Sequence, residues 1–314
     1  HGSPLGDEEI KGTREKLGWS YGAFEVPDAI LQSWRDTGAR GTKDYSAWQS
    51  RLEKTAKDTR ENFERLMRGE LAAHWHQAID AFKQKEAEAQ TKEATRQSSG
   101  RVLEALYESV PELVGGSADL TGSNLTKAKA MKPVTAKDFS GSYVYWGVRE
   151  HGMASAMNGM ALHGGFIPFG GTFLVFTDYC RPAIRLSALM QQRVIYVMTH
   201  DSIGLGEDGP THQPVEHIAS LRAMPGVKVY RPADATETAE CWALALADAH
   251  APSVLALSRQ GLPAVRKEYT KENRCARGAY VLKDGGKDVT LIATGSEVEI
   301  ALAAQTKLQE KGIA

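Results

Sequence analysis

The spacing of apolar residues changes about a third of the way along the chain. Residues 28–94 are charged, and their apolar positions, such as Trp48, Leu52, Phe63 and Leu66, recur at helical intervals. No strand-like apolar run interrupts them. This region is therefore predicted to be helical.

From about residue 98 onward, short apolar runs alternate with segments of helical pattern. Besides the run at Leu113 and Val114, the predicted strands are YVYWG, GFIPFG, VIYVMTH, VKVYRPA and SVLALSR, and helices are expected from Glu150, Phe173, Gln213 and Asp234. This alternation is typical of βαβ units and predicts an α/β fold, with a parallel sheet flanked by helices on both faces.

A second boundary falls in the polar segment QGLPAVRKEYTKENRCARG. Beyond it, DVTLIATGSEVEIALAAQTKLQEKGIA is interpreted as one strand and one helix. A lone strand and helix cannot bury their apolar faces, so this segment is expected to begin a further domain.

Composition narrows the function classes without choosing one. The chain has 314 residues, of which 42% are apolar and 25% charged, and this suggests about two globular domains. A formal net charge of -1 gives no electrostatic reason to expect binding to nucleic acid or to a membrane surface. Three widely spaced cysteines without a C-x-x-C motif indicate neither a disulfide framework nor a thiolate zinc site, and favour a cytoplasmic setting.

The stretch THDSIGLGEDGPTHQPVEH, residues 199–217, has the most concentrated chemistry. It follows a predicted strand, where ligands of parallel sheets bind, and its glycines would gather His200, Asp208 and His212 around one small volume, while Pro214 could open the next helix. Three interpretations stay open: a solvated loop, a metal site whose histidine spacings match no compact ligand pattern, and a polar pocket for a hydroxylated substrate.

Two further candidates follow predicted strands. GGSADLTGSN carries Asp119 and Ser123 at its tip, although such a segment is commonly only a turn. GVREHGM places Glu150 at the start of a helix, where the helix dipole alone would favour a glutamate.

Aromatic and basic residues supply the remaining candidates. Phe173, Phe176 and Tyr179 would share one face of a helix, a pattern more typical of a core than of a cofactor pocket. Arg96 and Arg259 stand at element ends, where each could bind a phosphate or a carboxylate.

Together and in this order, these motifs resemble transketolase over essentially the whole chain. The matching segments are HGSPLGDEEI, SADLTGSN, GVREHGM, GGTFLVFTDY, THDSIGLGEDGPTHQPVEH, RPAD and LSRQ. The resemblance implies an enzyme of the pentose phosphate pathway that uses thiamine diphosphate and a divalent cation, Mg²⁺ or Ca²⁺. Such an enzyme moves a two-carbon ketol unit from a ketose phosphate to an aldose phosphate.

The resemblance also assigns roles to residues. Glu150 would hydrogen-bond the cofactor's aminopyrimidine and promote loss of the thiazolium C2 proton. The aminopyrimidine pocket would comprise Phe173, Phe176 and Tyr179, with Phe176 stacking on the ring, and Asp119, Leu120 and His1 would also lie near the cofactor.

On the substrate side, His212 and His1 would lie near the first carbons of the donor, and Asp208 would bind its C2 hydroxyl. The phosphate would be held by Arg96, Ser123, His200 and Arg259. The residues expected to take part in catalysis are Glu150, His1, His212, His200 and Asp208.

The chain departs from the family pattern in one respect. The G-D-G motif and downstream Asn that bind the diphosphate and metal are absent from these 314 residues, so metal ligands are expected in a missing N-terminal part and none in this chain. The implied domains are residues 1–66, the tail of the diphosphate-binding domain; 67–91, a helical linker; 92–270, the pyrimidine-binding domain; and 271–314, the start of the C-terminal domain.

The implied assembly is a homodimer with the cofactor at the subunit interface and sugar phosphates as substrates. Two alternatives remain. One is a non-catalytic fragment that keeps the pyrimidine-binding half as a folded module. The other is a related ketol-transferring enzyme, such as a dihydroxyacetone synthase.

Overall fold

The computed structural model describes residues 2–314, which divide into two compact units, one ending at Asn62 and one running from Phe63 to Ala314. The helices of the described residues are α1 (Asp7–Leu17), α2 (Asp28–Ala39), α3 (Thr42–Lys54), α4 (Lys57–Met67), α5 (His76–Ala89), α6 (Thr95–Tyr107), α7 (Thr121–Asn124), α8 (Glu150–His163), α9 (Thr177–Leu189), α10 (His217–Arg222), α11 (Ala235–Ala247) and α12 (Glu297–Glu310). The strands are β1 (Leu113–Ser117), β2 (Tyr143–Tyr145), β3 (Ile167–Phe173), β4 (Ile195–Thr199), β5 (Lys228–Tyr230) and β6 (Ser253–Leu257).

The first unit is helical, and α1 to α4 contain no buried residue. Several of its large apolar side chains are exposed, among them Trp34 to 73% and Leu17 to 76%. The helical prediction for residues 28–94 is confirmed by α2 to α5, whereas α1 was not anticipated. Gly18 ends α1 in the left-handed conformation, and its N–H bonds the carbonyl oxygens of Arg14 and Glu15.

The second unit is built on a six-stranded sheet of order β2-β1-β3-β4-β6-β5, in which every pairing is parallel. Side chains of β4 alternate between two cores. Ile195 and Val197 join the core that includes residues of α5, α6 and α11, whereas Tyr196 and Met198 join the core that includes residues of α8 and α9. The prediction of a parallel sheet covered on both faces is confirmed.

The strand order places the switch point of the sheet beside β1. The chain goes from β1 to β2 on one side and returns to β3 on the other, so connections leave in opposite directions. In open parallel sheets the crevice at such a point, outside the carboxyl ends of the strands, is where ligands bind. The short helix α7 follows β1 directly and occupies this place.

Two predicted helix starts were wrong. Phe173 is extended because it pairs with Thr199 in the sheet, and α9 begins only at Thr177 after a 3-10 turn. Gln213 is also extended, as expected of a residue that precedes a proline, and α10 begins at His217. Pro214 therefore does not open that helix.

The strand predicted within residues 288–294 is also wrong. In the described chain this segment is irregular, and Gly295 N–H donates to the Arg231 carbonyl oxygen at 3.0 Å. A strand needs a neighbouring strand to take its backbone hydrogen bonds, and residues 2–314 provide none there. The helix predicted after it is confirmed as α12.

Within residues 2–314, no helix has both the length and the apolar character that a membrane crossing requires.

Candidate active site

Three parallel strands and two helices bring the candidate residues together at one edge of the sheet. Phe173 is the last residue of β3, His200 follows β4, and Arg259 lies two residues beyond β6. Glu150 begins α8 and Arg96 lies in the first turn of α6. Because parallel strands share a polarity, these side chains converge although they are far apart in sequence.

One side of the site, here called the cationic end, consists of Arg96, His200, Asp208 and Arg259. The Asp208 carboxylate holds it together, since Oδ2 lies 3.6 Å from His200 Nε2 and 3.3 Å from Arg259 Nε. Glu207 also pairs with the Arg259 guanidinium. The predicted convergence of His200 and Asp208 is thus found in the structure.

Arg96 has donor capacity to spare at the cationic end. Its Nη1 donates to the Ser123 carbonyl oxygen at 2.7 Å, while its buried Nε has no hydrogen-bond partner among the described residues. Burial lowers the pKa of Arg96, and the nearby Arg259 lowers it further. Two adjacent guanidinium groups with an unused buried donor form an environment suited to an anion such as phosphate.

His200 is buried and conformationally unusual. Its exposed fraction is 2% and its φ is 61°, a left-handed conformation that is uncommon outside glycine. Its ring stacks on Phe173 with centroids 3.7 Å apart, and Nδ1 lies 2.8 Å from Thr199 Oγ1. Burial lowers the pKa of His200 to about 4, with a further contribution from the positive charge of Arg96, so the imidazole is neutral at pH 7.

The other side, here called the carboxylate–aromatic end, consists of Glu150, Phe173, Phe176 and Tyr179. Glu150 is 8% exposed, and among residues 2–314 its Oε1 receives one long side-chain contact, of 3.5 Å, from the Thr172 hydroxyl. Burial, followed by the charge of Glu150, raises the pKa of Cys180 to about 12. The carboxylate therefore faces a neutral thiol and keeps acceptor capacity for a ligand.

The three aromatic rings form a ladder beside Glu150. Phe173 and Phe176 are stacked at 5.8 Å with 6° between their planes, and Tyr179 continues the stack at 5.8 Å from Phe176. His212 closes on the ladder edgewise, 5.8 Å from Phe173 and 5.4 Å from Phe176. The prediction that the three rings share one face of a helix was wrong. They come from a strand end, a 3-10 turn and a helix.

The ladder fits a flat heteroaromatic ligand. Phe176 is half-buried and Tyr179 is 63% exposed, so ring surface is available for stacking. The buried Glu150 carboxylate lies near the strand end that carries Phe173, since the neighbouring Thr172 hydroxyl contacts it at 3.5 Å. An aminopyrimidine has this combination of a flat face and hydrogen-bonding nitrogens.

The loop 200–216 is shaped by glycine. Gly206 and Gly209 have φ of 90° and 80°, conformations that strain other residues, and they turn the chain so that Asp208 faces His200. The interpretation as a merely solvated loop does not fit, because His200 is buried.

His200 and His212 do not support the interpretation of the loop as a metal site. Among residues 2–314, the group of metal-ligating type comprises Asp178, Glu216 and His217, with His200 and His212 outside it. Asp178 is already paired with Arg181 at 2.7 Å and with His217 at 3.1 Å. Internal ion pairing accounts for this cluster.

The remaining predicted residues lie on the β1 side. Asp119 is exposed with φ of 63°, and Leu120 is half-buried with its N–H bonded to Ser117 Oγ at 3.2 Å. Ser123 reaches the cationic end through its carbonyl oxygen. His1 lies outside the described residues.

Sequence reasoning overlooked three residues in this region. Asn124, Thr172 and Thr199 are fully buried polar residues between the two ends of the site. For Thr172 and Thr199 the available signal was their position, because each is a polar residue at the end of a buried strand, whereas Asn124 ends the short helix α7.

Three family models match the chain. They are described as Transketolase, pyrimidine binding domain, over residues 91–265; Transketolase, thiamine diphosphate binding domain, over residues 1–72; and Transketolase-like TK C-terminal domain, over residues 278–314.

Among curated relatives, a transketolase of Sinorhizobium medicae is 54% identical over 100% of this chain and 45% of its own length. The chain spans about half the length of the curated relatives it matches.

Solved structures agree. A Pichia stipitis transketolase variant in complex with fructose 6-phosphate superposes with a TM-score of 0.88 and 38% identity, covering 100% of this chain and 47% of that one. A structure described as a split gene transketolase, inactive beta4 tetramer, gives a TM-score of 0.58 at 31% identity, with 71% of this chain and 70% of that one covered. The pyrimidine-binding family model matches more than half of the chain, and the chain therefore belongs to the transketolase family.

Proposed function

We propose that this chain provides one part of the active site of a transketolase, which moves a two-carbon ketol unit from a ketose phosphate to an aldose phosphate. The supporting observation is the adjacency of two unlike surfaces. A buried carboxylate beside an aromatic ladder adjoins a pair of arginines with an unused donor. This arrangement suits an aminopyrimidine cofactor and a phosphorylated substrate within one crevice.

At the carboxylate–aromatic end, Glu150 would hold and share a proton with an aminopyrimidine nitrogen, since it is shielded from water. Phe176 would stack on the ring, with Phe173 and Tyr179 extending the surface. Asp119, Leu120 and His1 are proposed to lie nearby. Thiamine diphosphate, when bound, supplies the electron sink for C–C cleavage.

At the cationic end, Arg96 and Arg259 would bind the phosphate as charged donors, with neutral His200 and Ser123 adding uncharged ones. Asp208 would accept from the C2 hydroxyl. His212, between the ladder and the loop, would move protons to and from oxygens on the first carbons, together with His1. Binding energy from the remote phosphate would then orient the reacting carbons.

The diphosphate and its Mg²⁺ or Ca²⁺ are assigned to a part of the protein beyond these 314 residues. The proposed domains are 1–66, 67–91, 92–270 and 271–314, as implied by the family resemblance. Two observations support a divided site: the chain matches about half of its relatives' length, and a partial structural relative is described as inactive. The proposed assembly is a cytoplasmic homodimer with the cofactor between subunits, without a nucleic-acid or membrane partner.

Reconstitution tests this function. Residues 1–314 would be mixed with a separately produced transketolase diphosphate-binding domain, thiamine diphosphate and Mg²⁺, then supplied with a ¹³C-labelled ketose phosphate and an aldose phosphate. We expect labelled two-carbon transfer only when both proteins are present, and none with Glu150→Gln. If the mixture binds the cofactor but transfers nothing, the alternative of a non-catalytic module is favoured.

A further inference from the structure

Asn124 lies at the switch point of the sheet and is fully buried. It ends α7, next to β1, and is accommodated by a glycine of β3. A Cβ added at Gly171 would lie 3.3 Å from Asn124 Cβ and only 2.7 Å from Thr126 Cγ2. The close approach lets the Asn124 amide reach across β3 to β4.

The Asn124 side chain is hydrogen-bonded to residues of three strands, β1, β3 and β4. Its Nδ2 donates to the Thr172 carbonyl oxygen at 2.7 Å and to Thr199 Oγ1 at 3.2 Å, and its Oδ1 receives a long contact of 3.4 Å from Ser117 Oγ. A carbonyl oxygen can only accept, so the atom facing Thr172 must be the NH₂ group. The Thr172 carbonyl therefore fixes which way the Asn124 amide is turned.

A count of donors then favours one direction for the next hydrogen bond. The Thr199 hydroxyl accepts a hydrogen from Asn124 with one lone pair, and its own hydrogen is free to donate. His200 Nδ1, 2.8 Å from Thr199 Oγ1, is within reach as the acceptor of that hydrogen. If Nδ1 of a neutral imidazole accepts, the ring hydrogen must be on Nε2.

The surroundings of Nε2 agree with this direction. Nε2 faces Asp208 Oδ2 at 3.6 Å, and a carboxylate is an acceptor for an N–H. The stack on Phe173 fixes the plane of the ring. The low pKa of His200, about 4 through burial and then Arg96, keeps the ring from carrying hydrogens on both nitrogens at pH 7.

We propose that Asn124 is a positioning residue which, through Thr199, holds neutral His200 in the Nε2–H tautomer, so that Nε2 presents a hydrogen-bond donor to a phosphate oxygen. The proposal rests on the proposed function for its substrate. The chain of bonds from Asn124 to His200 requires no ligand. A hydroxylated substrate bound without phosphate would gain little from this donor.

The tautomer can be measured directly. Protein of residues 1–314, labelled with ¹⁵N-histidine, gives long-range ¹H–¹⁵N correlations in which the protonated and unprotonated ring nitrogens have distinct shifts; His200→Gln identifies the His200 signals. At pH 7 we expect Nε2 protonated and Nδ1 unprotonated but hydrogen-bonded. A protonated Nδ1 would overturn the proposal.

Asn124→Asp should reverse the direction of the hydrogen bonds that run from residue 124 through Thr199 to His200. A buried, protonated carboxyl at 124 can still donate to the Thr172 carbonyl oxygen, but it then accepts from the Thr199 hydroxyl. Thr199 Oγ1 would have to accept from His200, and we expect the tautomer to switch to Nδ1–H. If the variant folds and the tautomer stays the same, Asn124 does not set it.

Thr199→Val covers the case in which Asn124→Asp fails to fold. Removal of the hydroxyl should move the His200 Nδ1 signal toward that of an unbonded ring nitrogen. Thr238→Val is the matched control, because Thr238 is also buried and donates to the carbonyl oxygen of Asp234, the residue that caps the start of α11. An Nδ1 signal that does not move in Thr199→Val would contradict the proposed chain.

Kinetics of the complete enzyme separate positioning from folding. Thr199→Val should raise KM for a phosphorylated donor about two- to tenfold, the effect of one neutral hydrogen bond, with little change for a phosphate-free donor. Equal losses with both donors would contradict the assignment. A wrong tautomer refutes this inference alone, whereas absence of ketol transfer in the complete enzyme refutes the proposed function.

Discussion

The two ends of the site differ in how their polar groups are satisfied. At the cationic end, Arg259 and His200 already face the carboxylate of Asp208. At the carboxylate–aromatic end, the Glu150 carboxylate has one long contact and the rings are partly open. One end has its carboxylate paired within the protein, with the Arg96 Nε donor left for an anion, and would exchange those partners for a phosphate. The other has an acceptor and a stacking surface left for a ligand.

The difference predicts which function each end controls. Loss of the Glu150 carboxylate should stop proton transfer at the cofactor, because the other side chains of that end are aromatic rings. Loss of one group at the cationic end should weaken binding in part, because several donors would share a bound phosphate. Variants of the two ends should therefore separate kcat from KM.

The largest effect is expected from Glu150→Gln in the complete enzyme. The amide preserves volume but cannot share a proton with the aminopyrimidine, so C2 deprotonation should slow by about 10²- to 10⁴-fold. Hydrogen–deuterium exchange at C2 of bound cofactor measures it, with an unchanged unfolding midpoint as the control. Exchange at the wild-type rate would remove Glu150 from this role.

Next in size is Arg259→Ala at the cationic end. Loss of one charged donor should raise KM for a phosphorylated donor about ten- to hundredfold and leave a phosphate-free donor nearly unaffected. Arg277→Ala is the matched control, since Arg277 is an exposed arginine paired with Glu272. Similar losses for the two donor types would mean that Arg259 does not bind the phosphate.

The depressed pKa of His200 predicts a pH effect on stability. The folded-state value is about 4, whereas the unfolded value is about 6.5. Between these values the unfolded chain binds the extra proton, so stability contributed by neutral His200 is present above pH 6.5 and is lost as pH falls toward 4. Urea unfolding at pH 7 and pH 5 should show a loss about 1–2 kcal/mol smaller in His200→Gln than in wild type. An equal loss in both would show that the folded-state pKa is not depressed.

The smallest effect is expected from Ser123→Ala. Arg96 bonds the backbone carbonyl of Ser123, so the variant keeps that contact and removes only a neutral hydroxyl. KM for a phosphorylated donor should rise about two- to tenfold at most. A change as large as that of Arg259→Ala would make Ser123 a principal phosphate ligand.

Much of the fold was predictable because strands and helices leave periodic signals. The run VIYVMTH became β4, since an apolar run bounded by polar residues suits a strand buried on both faces. Phe173 was misassigned because the glycines and threonine before it hide the continuation of β3. The strand expected in residues 288–294 failed for another reason: pairing depends on a neighbour, which a local pattern does not reveal.

The candidate site was predictable in its residue types and in the approach of His200 to Asp208. Positions after predicted strands or at element ends indicated Glu150, His200 and the arginines, and family resemblance supplied their roles. Asn124 was overlooked because its partners, the Thr172 carbonyl and the Thr199 hydroxyl, belong to strands distant in sequence. Its importance depends on a register between β3 and β4 that the sequence pattern does not specify.

On the proposed function, residues 1–314 hold the pyrimidine and substrate side of a divided site, and the diphosphate and metal ligands lie in another part of the protein. The test of this claim is isothermal titration of the 314-residue protein with thiamine diphosphate and Mg²⁺, alone and with a diphosphate-binding domain added. We predict no Mg²⁺-dependent binding by residues 1–314 alone and clear Mg²⁺-dependent binding once the domain is present. Tight, Mg²⁺-dependent binding by the 314-residue protein alone would contradict the claim.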